Sequence, residues 1–122
     1  MSTKKNKPKY SDLLQLAKKQ FKDENYSGAV CSLTSLIDYQ KFHKNDQITI
    51  EAKFWLAKTY EKGFKNKTDQ AVHYYHEVFN SSNLQFKEKA RDCLINCYSQ
   101  GIGVKKDIVK ADELYNGKFK NK

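Results

Sequence analysis

The sequence predicts an all-α protein built as three pairs of helices, and three observations carry that expectation. Apolar residues recur every three or four positions from Tyr10 to Tyr115, the spacing of one buried helical stripe. No stretch alternates at period two for long enough to form a strand. Ala52, Leu56, Tyr60 and Gly63 recur as Ala90, Leu94, Tyr98 and Gly101, each shifted by 38 positions, the signature of a repeated structural unit.

Taken in order, the first helix follows from Leu13, Leu14, Leu16, Ala17 and Phe21, and a turn rich in Asp23, Glu24 and Asn25 ends it. Tyr26, Ala29, Val30, Leu33, Leu36 and Ile37 trace the second, closed by the polar run from Lys41 to Gln47. The third runs from about Ile48 through Ala52, Trp55, Leu56, Thr59 and Tyr60 to Gly63, where glycine suits a left-handed helix end. Thr68 or Asp69 is expected to cap the fourth, which carries Ala71, Val72, Tyr75 and Phe79. Ser82, with Gln85 three residues on, has the spacing of a capping box for the fifth, marked by Phe86, Ala90, Leu94, Cys97 and Tyr98. Gly101 ends that helix and Asp107 is placed to cap the sixth, whose stripe is Ile108, Ala111, Leu114 and Tyr115.

A chain of 122 residues is long enough for one core and short for two. The apolar fraction of 39% includes 8 Tyr and 7 Phe, so a few large side chains can supply the burial. No apolar run nears the roughly 20 residues that span a bilayer, and the segment MSTKKNKPKY has no apolar stretch of signal-peptide type. The expectation is a soluble cytoplasmic protein without a membrane partner. Three cysteines, an odd number without framework spacing, fit a reducing compartment.

The net charge of +9 is concentrated at the ends. Lys4, Lys5, Lys7 and Lys9 in residues 1–9, and Lys118, Lys120 and Lys122 in residues 117–122, have no acids among them, and removing these seven leaves +2 for residues 10–116. A disordered basic tail at residues 1–9 and a basic tail at 117–122 are therefore expected to flank a nearly neutral domain. The tails can solvate the protein or contact a polyanion such as RNA. Only Arg91 is arginine, which argues against dedicated bidentate phosphate recognition. Lys4-Lys5-Asn6-Lys7 also fits a short nuclear-import pattern, so a nuclear location is the alternative to the cytoplasm.

The residues Ala90, Leu94, Tyr98, Gly101, Gly103, Val104, Asp107, Lys110 and Ala111 resemble the Sel1-like subclass of tetratricopeptide repeats, with Ile95 where that pattern carries its first glycine. Ala52, Leu56, Tyr60, Gly63, Asp69 and Ala71 keep part of the pattern, with Ala57 at that glycine, and FKDENYSGAV resembles an ordinary tetratricopeptide unit. The resemblance implies three stacked antiparallel hairpins, at about 10–40, 48–79 and 85–116, in a right-handed α-solenoid whose first helices line a concave groove. It also implies a last helix that lacks the usual solvating helix after it, with Val109, Leu114 or Phe119 open to a partner or a second copy.

Few residue groupings suggest chemistry. The lysines after Gly103 could form an anion nest, yet the loop lacks the spacing of a phosphate-binding loop and Asp107 occupies the cap an anion would need. His73, His76 and Glu77 share a helix face without enough ligands for a zinc site. Cys31, Cys93 and Cys97 read as small buried core thiols. No catalytic constellation is legible, so a non-enzymatic protein without a cofactor is expected.

If Tyr60 and Tyr98 face the core, residues half a turn away face the groove. Those are Phe54, Lys58 and Glu61, then Lys89, Asp92 and Asn96, and in the first unit Lys18 and Lys22. Their balance is mildly basic and suits a protein or acidic peptide. The leading expectation is an adaptor or assembly subunit holding a protein segment. An RNA- or ribosome-associated protein using its lysine tails, and an inhibitor that blocks a partner enzyme, are the alternatives.

Overall fold

A computed structural model describes residues 10–43 and 46–120. The described residues form six α-helices and no strand: α1 Tyr10–Lys22, α2 Tyr26–His43, α3 Asp46–Gly63, α4 Thr68–Phe79, α5 Leu84–Gln100 and α6 Ile108–Lys120, with a single 3-10 turn at Lys65–Lys67 before α4. Lys4, Lys5, Lys7 and Lys9 lie outside the described residues.

Each helix packs against the next in sequence, and α1 touches α3 as α3 touches α5. Among the described residues the even-numbered helices do not touch one another. One core runs through the array, from Leu14 and Ala17 through Leu33, Leu36, Leu56 and Tyr75 to Leu94 and Cys97. Aromatic rings link its layers: Phe21 meets Trp55 edge-on at 5.4 Å between α1 and α3, and Phe54 meets Phe86 at 5.4 Å between α3 and α5.

The helix ends show which local signals operate. Gly101 has φ 75°, and both its N–H and that of Ile102 donate to the Cys97 carbonyl, at 2.8 and 2.9 Å. Asp107 accepts from the Lys110 N–H at 3.0 Å and starts α6. Between α1 and α2 the same left-handed position is filled by Glu24, φ 64°. There Asn25 N–H reaches back to the Gln20 carbonyl at 2.7 Å.

Several boundaries differ from the sequence expectation. Gly63 is not left-handed; Gly101 and Gly103 are the glycines with positive φ. Its small size serves packing instead, since a Cβ there would lie 2.6 Å from Cγ of Tyr26. The fifth helix is capped by Asn83 rather than Ser82: its Oδ1 accepts from Phe86 N–H at 3.1 Å while its Nδ2 donates to Gln47 at 2.5 Å, tying the start of α5 to α3. α4 has no side-chain cap because the 3-10 turn delivers the chain to Thr68 already coiled. The polar run after Gln40 stays helical to His43, and α3 starts at Asp46, two residues before Ile48. At the far end α6 continues to Lys120, so Gly117 lies within a helix.

Candidate functional site

Because α3 touches both α1 and α5 while, among the described residues, α2, α4 and α6 do not touch one another, one side of the array is lined by the odd-numbered helices. The groove residues expected from the sequence divide there into three sets. Lys58, Lys89 and Asn96 are brought onto neighbouring stretches of α3 and α5; Lys58 is half-buried, while Lys89 and Asn96 are exposed. Lys89 holds its ammonium 5.5 Å over the Phe86 ring, and Asn96 Oδ1 accepts from Gln100 at 2.9 Å. Exposed Asp92 and half-buried Glu61 supply negative charge among them.

Lys18 and Lys22 lie on α1, and only Lys22 is fully exposed. Lys18 is held by α3: its Nζ is 2.9 Å from Glu51 and 5.8 Å from the Trp55 ring centre. Trp55 in turn donates its indole N–H to the same Glu51 at 3.4 Å. The spacing of Glu51 and Trp55 by four residues was the available signal for this tie, and it passes unnoticed when Trp55 is read only as core.

Phe54 is not a groove residue. It is 5% exposed and packs on Tyr75 and Phe86. The half-turn rule failed because an odd helix here has neighbours on both flanks, so the side opposite α2 is covered by α5. Glu61, on the same flank, accepts the Tyr75 hydroxyl at 2.7 Å.

Burial sets the protonation of this flank. It holds the Tyr75 phenol well above its ordinary range, with Cys93 and Glu61 adding to the shift. Burial, with Glu61 and Cys93 beside it, pushes Cys97 up to about 12. Cys93 is also raised, mainly by burial, against the opposing pull of the Lys58 ammonium. Both thiols are therefore protonated at neutral pH and poor nucleophiles. Cys31, expected in the core, is exposed on α2.

The two histidines of α4 go separate ways. His73 pairs with Glu77 at 2.8 Å, and Lys53 meets the other oxygen of Glu77 at 2.8 Å. His76 Nε2 lies 2.9 Å from the Tyr98 hydroxyl, joining α4 to α5. Among the described residues no three His, Cys, Asp or Glu side chains are grouped to hold a metal ion. Nor is any described helix long and apolar enough to cross a membrane.

The Gly101–Asp107 loop is an elbow. Gly103 (φ 73°) passes so close to α4 that a Cβ would lie 2.6 Å from the Thr68 carbonyl carbon. Asp107 donates its N–H to the Tyr98 carbonyl at 2.8 Å, and Lys105 and Lys106 are exposed. The position an anion would take is filled by the Asp107 carboxylate. No protein-family model matches the chain, no curated protein matches it, and no solved structure matches it, so the functional reading rests on these residues.

Proposed function

We propose that the chain is a non-enzymatic protein-interaction module, an α-solenoid of three tetratricopeptide- or Sel1-like hairpins that holds a protein segment against its odd-numbered helices. The observation that carries this reading is the alternation in packing, odd helices touching and even helices apart, which gives one continuous face along α1, α3 and α5. On that face Lys22, Lys58 and Lys89 outnumber Asp92 and Glu61, and Asn96 offers an amide to a peptide backbone. Lys18 contributes less, since Glu51 already neutralises it. An acidic or C-terminal peptide is the ligand such a surface favours, and extended segments can add backbone hydrogen bonds to charge contacts.

The test is a titration of the labelled protein with a glutamate-rich decapeptide, followed by amide NMR shifts. Shifts concentrated on Lys22, Lys58, Lys89 and Asn96, lost in the Lys58→Glu/Lys89→Glu variant, support the groove. Equal binding by that variant would remove it. A pull-down from lysate with wild type and variant side by side then identifies proteins that depend on the same two lysines.

A further inference from the structure

The turns inside the hairpins share one edge of the array. Gly63, at the end of α3, sits on Tyr26 at the start of α2, and Gly103, beyond the end of α5, sits on Thr68 at the start of α4. The second contact brings the loop that carries Lys105 and Lys106 onto the residue that follows the 3-10 turn Lys65–Lys67. Two loops that are far apart in sequence thus form one surface.

Five lysines gather on it: Lys62 in the last turn of α3, Lys65 and Lys67 in the 3-10 turn, and Lys105 and Lys106 before α6. Lys67 holds its ammonium 5.9 Å over the Tyr60 ring. The other four are exposed, and the ion pairs of the described lysines fall elsewhere, on Lys18, Lys19 and Lys53. Two acids share this surface, Asp107, whose carboxylate is engaged by the Lys110 N–H, and exposed Asp69 in the first turn of α4. Glu61, next to Lys62, accepts the Tyr75 hydroxyl. The turn of the first hairpin does not extend the patch, because Asp23 and Glu24 outweigh Lys22. At the other end of α4 the connection Asn80-Ser81-Ser82-Asn83 carries no charge. Between Lys62 and Lys65 stands half-buried Phe64, its ring 6.1 Å from that of Tyr60.

We infer that this edge of the second and third hairpins binds a single-stranded nucleic acid along its phosphates. Ammonium groups without carboxylate partners repel one another across two loops in contact, and a chain of phosphates relieves that repulsion while it releases counterions. A single strand fits better than a duplex, since it can lay a base on the open part of the Phe64 ring while its phosphates meet the flanking lysines. Recognition is independent of sequence: lysines act as point charges, and the sole arginine, Arg91, is buried. An anionic bilayer would take up exposed apolar side chains together with the lysines; residues 62–67 bring none, and exposed Ile108 and Val109 stand on α6. None of the five lysines belongs to the odd-helix groove, so this site goes beyond the groove reading.

Fluorescence anisotropy of a labelled oligouridine, titrated with the full chain over a range of salt concentrations, tests the inference. Lys62→Gln/Lys65→Gln/Lys105→Gln/Lys106→Gln changes exposed side chains, and circular dichroism verifies its fold. Lys4→Gln/Lys5→Gln/Lys7→Gln/Lys9→Gln removes the same number of charges elsewhere and serves as the control. The edge variant is expected to bind at least about tenfold more weakly, and its slope of log affinity against log salt should be shallower by up to about 3, each lost contact to a single strand counting about 0.7. The control is expected to keep most of the wild-type affinity. An edge variant that binds as tightly as wild type, or a loss confined to the control, overturns the inference. So does a wild type that leaves oligouridine unbound, whether or not it binds phosphatidylserine vesicles.

Discussion

Gly63, at the last turn of α3, is seated against the Tyr26 ring at the first turn of α2, with room for a hydrogen and none for a methyl. Gly103 repeats the arrangement one unit later, where it meets Thr68 at the first turn of α4. Each junction between hairpins is thus closed by a glycine on the start of the preceding even helix.

Gly63→Ala should therefore destabilise, although alanine favours the helix by about 1 kcal/mol over glycine in an open position. Overpacking costs typically about 1–3 kcal/mol and here opposes that gain. Urea unfolding of Gly63→Ala, Tyr26→Ala and the double variant measures the coupling. A double variant as stable as Tyr26→Ala alone, or more so, is the expected result.

Glu24→Gly should stabilise by about 1 kcal/mol. Glu24 holds φ 64°, a conformation that costs an L-residue roughly 1–2 kcal/mol and glycine very little. Gly101→Val, at φ 75°, should do the reverse, by about 2 kcal/mol or more with its branched Cβ. Opposite shifts in urea midpoint check the pair, and loss of an anion-dependent property from a fully stable Gly101→Val protein would contradict the elbow.

The fold should weaken as pH falls through the histidine range. Burial holds His76 below its ordinary value of 6.5, and the nearby Lys110 and His73 charges add to this. The unfolded chain therefore takes up the proton first, so stability is full above about 6.5, declines as pH drops toward the folded value, and levels off beneath it. His76→Gln keeps a polar partner for the Tyr98 hydroxyl and cannot titrate. Its urea midpoint should vary less between neutral and mildly acidic pH than that of wild type.

Arg91 is 2% exposed, with its guanidinium 5.4 Å over Phe79 and its Nη1 3.3 Å from Glu88, but its Nε has no partner. A buried donor left unmade costs about 1–3 kcal/mol. Arg91→Met, which keeps the volume without the donors, should match the wild type or exceed it by about 1 kcal/mol. Arg91→Ala should lose about 2–4 kcal/mol through the cavity it leaves. Thermal unfolding distinguishes the two; a large loss in Arg91→Met would give the guanidinium a role these contacts do not explain.

The helices and the glycine elbow at 101–107 were legible because they are local: periodicity, a left-handed glycine and an aspartate cap each act within a few residues. What could not be read depends on neighbours distant in sequence. Phe54 has the spacing of a groove residue, and only the arrival of Phe86 on its flank buries it. Asn83 displaces Ser82 as the cap because Gln47 holds its amide. Gly63 does end α3, but without the left-handed turn expected of it, because its missing side chain serves to seat Tyr26. Lys18 looked available to a ligand until Glu51, 33 positions later, took its charge. The lysine tail at residues 1–9 lies outside the described residues, and its readings stand on composition alone.

The alternation that gives the odd helices a shared face has a kinetic side. Every helix is stabilised by others nearby in sequence, so closure entropy is low at each step and the array can assemble hairpin by hairpin. α3 is embraced by α1, α2, α4 and α5, while among the described residues α6 leans on α5 alone. Backbone amides of α3 should exchange with deuterium most slowly and those of α6 soonest, so that the chain unzips from its C-terminal helix inward rather than melting as one block.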